Sequence, residues 1–258
     1  MSYSQSVARQ AIALMDLTSL NDDDSEAVIA ALCEKAHTSY GDTAAVCVYP
    51  QFVAFALKSL ASLGLSHVKV ATVTNFPSGS SDIQNAVEQT QLAVAAGAHE
   101  VDVVYPYHAL LAGDRDVGLE LVKQCKAACG QHAQLKVILE TGALDNPELI
   151  RQASIDAIES GADFIKTSTG KVAVNATLSA ARIMLTTIAE LKPSVGFKPA
   201  GGIRTTEDAA QYIELASDIL GPDYVTAARF RLGASSLLTH LLTTLGDNSA
   251  PKPKAGDY

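Results

Sequence analysis

Short runs rich in β-branched residues alternate along the chain with longer Ala- and Leu-rich stretches whose apolar side chains recur at helical spacing. The runs predict eight strands, over residues 13–17, 44–49, 69–74, 100–105, 134–140, 163–167, 194–198 and 229–232, each bounded by Gly, Pro, Asn or Thr. The intervening pattern predicts helices, among them 81–96, 116–129, 146–160, 177–191 and 206–220. Several open on a Ser, Thr, Asp or Asn suited to capping a helix N-terminus. Strand and helix in regular alternation predict an α/β fold, a single-domain (β/α)8 TIM barrel, and the 258 residues suit the ~250 such a barrel takes. An open doubly wound sheet competes, but it would carry a Gly-rich turn after its first strand, where Met15-Asp16-Leu17-Thr18 stands instead. Residues 1–246 read as the barrel domain. Residues 247–258 hold Gly, Pro, Lys and Asp without an apolar period and read as a mobile C-terminal tail.

Composition narrows the function classes. With 48% hydrophobic and 18% charged residues the chain is of the ordinary soluble globular kind. Lys+Arg 19 against Asp+Glu 28 leaves a net charge of −9, which opposes a nucleic-acid or anionic-membrane partner. Any anionic ligand must then be gripped locally. The longest largely apolar stretch, 44–57, is interrupted by Tyr49, Pro50 and Gln51, too short and broken for a membrane span or an export signal. The expectation is a cytoplasmic protein whose 4 cysteines are free thiols, Cys125 and Cys129 serving as small apolar residues on a helix. The 6 histidines show no ligand spacing, so neither a metal nor another cofactor is expected.

In a barrel the reaction site lies at the carboxyl ends of the strands, so charges inside apolar runs are the first candidates. Asp16, Asp102, Lys166 and Lys198 each interrupt such a run. A buried charge is costly unless paired, so four of them at equivalent strand positions point to chemistry more than to four separate ion pairs. Lys136, at the start of its strand, reads by contrast as a surface or packing charge. Two lysines ~5 Å apart at an effective dielectric of ~20 repel by about 3 kcal/mol, roughly 2 pKa units, and desolvation adds to this. One becomes a neutral amine near neutral pH, able to attack a carbonyl and form a protonated Schiff base that accepts electrons from a breaking carbon–carbon bond. Asp102 would accept and donate protons, directly or through water.

The loops after the sixth, seventh and eighth strands carry Gly170-Lys171, Gly201-Gly202 and Gly233-Ala234-Ser235-Ser236. Their backbone N–H groups could face an anion, and Ser235 and Ser236 open a helix with its positive end toward the barrel mouth. Together they predict a phosphate site at the corner barrels often use for that purpose. Lys171 or Arg204 supplies a cation there, Arg204 fitting a structural role better. Cys47 near the end of the second strand is either a thiol beside the lysines or buried packing. Asn175 or Thr177 caps the following helix.

Asp163-Phe-Ile-Lys-Thr-Ser-Thr-Gly-Lys171, Val195-Gly-Phe-Lys-Pro-Ala-Gly-Gly-Ile-Arg204, Glu100-Val-Asp-Val-Val-Tyr-Pro106 and Gly233-Ala-Ser-Ser-Leu-Leu238 resemble the signatures of the 2-deoxyribose-5-phosphate aldolases, class I aldolases of the (β/α)8 type. The resemblance runs from about Ala8 to Gly246. It implies a Schiff base on Lys166, Lys198 perturbing its pKa, Asp102 moving protons with Lys198, and Lys171 on the phosphate side. The implied reaction is reversible cleavage of 2-deoxy-D-ribose 5-phosphate to D-glyceraldehyde 3-phosphate and acetaldehyde, without a metal. Families of this type often end in a tail whose last tyrosine shuttles a proton at the enamine carbon, and here the chain ends Asp257-Tyr258. A 2-deoxy sugar calls for a wall lacking a partner for a 2-hydroxyl, with Thr18 and Leu20 as candidates. The rivals are another Schiff-base aldolase or transaldolase with a different donor, and a silent barrel that only binds a sugar phosphate. An acidic surface fits a monomer or a homodimer.

Overall fold

The structure, a computed structural model, describes residues 1–247. Eight parallel strands, here β1 to β8, follow one another in chain order around a barrel: Met15–Thr18, Ala45–Val48, Lys69–Thr74, Glu100–Val104, Gln134–Ile138, Phe164–Lys166, Gly196–Lys198 and Leu232–Ala234. Every neighbouring pair from β8 through β1 to β7 is parallel. The last seam closes through parallel bridges Phe197↔Phe230 and Ala200↔Gly233, so the cylinder is complete and leaves no edge.

β3, β4 and β5 begin where their β-branched runs begin, β2 and β6 one residue later and β7 two residues later, and every strand ends within two residues of its predicted end. Two differ for physical reasons. Ala13 belongs to an N-terminal helix, Tyr3–Ala13, capped by Leu14, so β1 starts at Met15 rather than residue 13. Gly233 resembles a stop signal but lies inside β8, which is displaced from 229–232 to Leu232–Ala234. A Cβ at Gly233 would stand 2.8 Å from Ala200 Cβ and 3.0 Å from Lys198 Cε, so two chains approach here too closely for any side chain. Gly196 plays a similar part in β7, leaving room for the Phe164 ring, which would lie 2.3 Å from an added Cβ.

The outer helices match their apolar periods closely, with Asp116–Cys129 and Thr206–Leu220 at the predicted bounds. Cys125 and Cys129 are fully buried on the inward face of the former. Thr177, not Asn175, caps Leu178–Leu191 by accepting from the Ala180 N–H at 3.2 Å. The principal core lies between barrel and helices, where outward residues such as Val46, Val70, Val101 and Val103 meet Leu121, Met184 and Leu185. The barrel interior is a different environment, and charged side chains fill much of it.

Candidate functional site

Asp16 on β1, Asp102 on β4, Lys166 on β6 and Lys198 on β7 all turn inward and meet. Lys166 and Lys198 are Cα partners across the β6/β7 pair, so their side chains emerge at one level. Asp102 Oδ2 accepts from Lys166 Nζ at 2.9 Å and from Lys198 Nζ at 2.8 Å. Lys198 is also 2.5 Å from Asp16 Oδ2.

Three further charges complete the cluster, and one of them corrects the reading of Lys136. That residue is fully buried and shares the level of Asp102, its Cα partner. Its ammonium group donates to Asp102 Oδ1 at 3.0 Å and pairs with Glu100 Oε2. Arg231 donates to Asp16 Oδ1 at 2.7 Å and to Glu100 Oε1 at 2.7 Å. The Phe164 ring lies beneath, 5.7 Å from Lys136 Nζ and 5.8 Å from the Arg231 guanidinium carbon, where its face stabilises both cations. A signal for Glu100 was present, since Glu100 and Asp102 alternate onto one face of the same strand.

Electrostatics separates the two lysines. Burial drives both toward neutrality. For Lys198 the carboxylates of Asp102 and Asp16 outweigh burial and raise its pKa above the usual lysine value. For Lys166 burial prevails over the pull of Asp102, Lys198 adds repulsion, and the pKa falls. The order of causes thus differs from a picture led by lysine–lysine repulsion: desolvation comes first. Burial also penalises the Asp102 carboxylate, but Lys136, Lys166 and Lys198 together hold it well below the usual range. Cys47 lies inside the barrel, fully buried, its thiol pushed up by burial within the fields of Lys198, Asp102 and Lys166.

Above the cluster, Cys47 packs with Leu20, Ala71 and Val73 into an apolar wall flanked by Tyr49 and Phe76. The Thr18 hydroxyl turns back to its own strand, donating to Asp16 O at 2.8 Å. Lys171 reaches across from the loop after β6 to donate to Leu20 O at 2.6 Å. That loop is clamped by Glu140, a buried residue at left-handed φ 56° after β5, whose carboxylate accepts from Thr169 N and, at 2.5 Å, from Thr169 Oγ1. Burial raises the Glu140 pKa. Nothing in the local pattern marked Glu140, because the predicted strand ran through it. Ser168, two residues past Lys166, is buried with its hydroxyl unpartnered.

The glycine loops divide into two kinds. The Gly233 N–H donates to Pro199 O at 3.0 Å, and the Gly201 N–H donates to Gly233 O at 3.3 Å, so both amides serve the barrel seam. Gly201 also abuts Asn175. Gly202, at φ 82° with open space around its Cα, and Gly170, at φ 81°, present backbone at the carboxyl-terminal rim. Ser235 and Ser236 precede the helix Leu237–Thr244 and line a cavity of about 450 Å³ with Thr18, Leu20 and Asn21. The Arg204 N–H donates to Asp208 Oδ2 at 3.0 Å, within the cap of the following helix. A cavity of about 700 Å³ opens at the opposite end of the barrel, reaching Glu100 and Arg231 from below, and neither site lysine lines it. Tyr258 lies outside the described residues. Among the described residues no group of three or more His, Cys, Asp or Glu is placed to hold a metal ion, and no helix is long and apolar enough to cross a membrane.

Comparison with known proteins gives a consistent outcome. The sequence model described as DeoC/LacD family aldolase matches residues 10–241. The solved structure of QR15, an aldolase, is 32% identical over 92% of this chain and 96% of its own, with a TM-score of 0.75. A Coccidioides immitis protein provisionally assigned as a deoxyribose-phosphate aldolase is 29% identical over 92% of this chain and 86% of its own, with a TM-score of 0.80. For the fold alone, a Toxoplasma gondii protein with the same provisional assignment superposes with a TM-score of 0.88 over 97% of both chains at 24% identity.

Proposed function

The chain belongs to the DeoC/LacD family of aldolases, and we propose that it cleaves 2-deoxy-D-ribose 5-phosphate reversibly to D-glyceraldehyde 3-phosphate and acetaldehyde. The observation that carries this reading is the pairing pattern: of the three lysines inside the barrel, Lys136 and Lys198 each meet at least two carboxylates, whereas Lys166 meets one carboxylate oxygen that it shares with Lys198, and burial there lowers its pKa.

In this reading the neutral Lys166 amine attacks the C1 aldehyde, and loss of water leaves a protonated imine. The C3 hydroxyl gives its proton to the Asp102–Lys198 pair through water. The C2–C3 bond breaks, C3 becomes the aldehyde of glyceraldehyde 3-phosphate, and the bond electrons move into the imine to give an enamine. Protonation of the enamine carbon and hydrolysis release acetaldehyde and restore Lys166. The paired Asp102 and Lys198 are suited to proton traffic because each is fixed and solvent-excluded. The apolar wall of Leu20, Cys47, Ala71 and Val73 supports preference for a substrate without a 2-hydroxyl. Gly170, Lys171, Gly202, Ser235 and Ser236 receive the phosphate, while Gly201 and Gly233 shape the seam behind it. Tyr258 carries the proton to the enamine carbon, and the enzyme acts in the cytoplasm as a monomer or homodimer.

The test is borohydride reduction in the presence of acetaldehyde, followed by intact-mass analysis and peptide mapping. The expected result is one two-carbon adduct on Lys166, and none when dihydroxyacetone phosphate replaces acetaldehyde. Lys166→Leu abolishes turnover and trapping while preserving fold and inorganic phosphate binding. An adduct mapping elsewhere, or turnover in the variant, refutes the reading. Deleting Tyr258 slows exchange of the acetaldehyde methyl protons more than it slows trapping.

A further inference from the structure

We propose that Glu100 and Arg231 are positioning residues that determine which of the two facing lysines is left as the neutral amine. The inference rests on the Schiff-base reading and extends it to residues on the far side of the cluster from the substrate.

Seven ionisable side chains meet inside the barrel: the carboxylates Asp16, Glu100 and Asp102, and the cations Lys136, Lys166, Lys198 and Arg231. Fully ionised, the cluster holds one positive charge more than it can pair, in a medium where an unpaired charge is expensive. One proton therefore leaves at lowest cost, and the geometry decides whose. Arg231 cannot release one under ordinary conditions. Lys136 is shared between Glu100 and Asp102, and Lys198 between Asp16 and Asp102. Lys166 has one carboxylate contact, to an oxygen it shares with Lys198.

That imbalance is imposed from below. Each active-site aspartate turns one oxygen down and one up. Asp16 Oδ1 is held by Arg231, which presents Oδ2 to Lys198. Asp102 Oδ1 is held by Lys136, which presents Oδ2 to Lys166 and Lys198. Glu100 ties the two lower cations together, accepting from Arg231 at both Oε1 and Oε2 and from Lys136 at Oε2. All seven groups are at most 4% exposed, so solvent screens them little. The groups that face Lys166 are Asp102 from β4, Lys198 from β7, Cys47 from β2 and Glu140 from the end of β5. Lys136, Asp16, Glu100 and Arg231 act on it through these contacts and through their charge. Cys47 is a thiol whose pKa burial pushes up, and the Glu140 carboxyl oxygens are engaged by the Thr169 amide and hydroxyl rather than by a lysine.

The two residues have opposite signs, and this separates positioning from mere support. Glu100→Gln raises the surplus positive charge, favouring the neutral amine, so the acid limb of Lys166 reactivity moves to lower pH. Arg231→Met removes the surplus, so the limb moves to higher pH. Arg231→Lys keeps the charge and returns the limb toward its original position. The experiment measures the rate of borohydride-trapped acetaldehyde adduct on Lys166 in the full chain from about pH 5 to about pH 10. Shifts of at least about one pH unit in opposite directions are expected for Glu100→Gln and Arg231→Met. Limbs that stay in place, or that move the same way, overturn the proposal. Should Arg231→Met fail to fold, Glu100→Gln and Arg231→Lys decide it: a limb that does not move down in the first, or is displaced in the second, is incompatible with the mechanism. A native chain that forms no adduct on Lys166 at any pH refutes the Schiff-base reading instead. The lysine titrations are then read by NMR after reductive methylation with ¹³C-formaldehyde, which reports the same shifts without acetaldehyde chemistry.

Discussion

Replacing Lys198 with methionine isolates the contribution of one ammonium group to the reactivity of another. The two nitrogens share Asp102 Oδ2 at 2.9 and 2.8 Å, so they lie less than about 6 Å apart. At ~5 Å and an effective dielectric of ~20 the repulsion is about 3 kcal/mol, worth roughly 2 pKa units. Lys166 already sits below its ordinary value because burial and this repulsion outweigh Asp102. Removing Lys198 deletes the repulsion and leaves Asp102 Oδ2 to Lys166 alone, and both effects raise the Lys166 pKa. The neutral amine exists above that pKa, so the acid limb of adduct formation moves up by about 2 pH units. At a fixed pH below the new value the rate falls roughly tenfold for every pH unit the limb has climbed.

The assay is borohydride trapping with acetaldehyde across a pH series, with the adduct quantified on the Lys166 peptide. The limb position is the informative quantity, because it does not depend on how much of a destabilised variant is folded. Lys198→Met also strands the facing edges of Asp16 and Asp102, so a thermal melt and circular dichroism accompany each sample. A limb that stays at its original pH, or shifts to lower pH, refutes the claim that Lys198 depresses Lys166.

Three more outcomes follow from the same contacts. Lys136→Met leaves Glu100 and Asp102 buried without their shared cation and lowers unfolding stability by about 3–5 kcal/mol, read from urea titration; a change below about 1 kcal/mol contradicts the buried geometry. Gly233→Ala puts a Cβ 2.8 Å from Ala200 Cβ and 3.0 Å from Lys198 Cε. It therefore displaces Lys198 and costs about 1–3 kcal/mol, visible as a lower melting temperature together with a shifted trapping limb. Asp16 and Asp102 have folded-state pKa values below the ordinary carboxylate range. Their stabilisation is complete above the unfolded value of about 4 and is lost as pH falls toward the folded values, so the urea midpoint declines steadily below about pH 4. A midpoint that is flat there excludes depressed carboxylates.

What the sequence made legible, and what it concealed, has a geometric explanation. The β-branched runs located the strands because parallel strands covered on both faces are nearly continuous in apolar residues. Against that background the charges of Asp16, Asp102, Lys166 and Lys198 stood out, and all four meet in the structure. Lys136 escapes such a reading because the place of a residue along its own strand is not its height in the barrel. Strands in a (β/α)8 barrel tilt by about 36° and are staggered, so the two quantities differ. Lys136 is the third residue of β5 and Asp102 the third of β4, and the register makes them partners. Their alignment with Lys166, the last residue of β6, follows only once side-chain length and stagger are known.

Arg231 is concealed differently. Phe230 and Leu232 flank it, and the pattern places its strand a few residues early because Gly233 looks like a terminator. The glycine is in fact what admits the Lys198 stem. A residue that ends strands elsewhere thus extends one here, because the strand must pass an inward-pointing lysine. The same steric demand recurs at Gly196, which yields space to the Phe164 ring beneath the cations. Small residues on β7 and β8 therefore make room for large ones on their neighbours, and the charged cluster occupies the space so created. A barrel filled by aliphatic layers would need no such accommodation. Substituting Gly196 by Ala should accordingly tilt or expel Phe164 and lower the melting temperature, and an Ala variant as stable as the native chain would show that the ring is not packed as described.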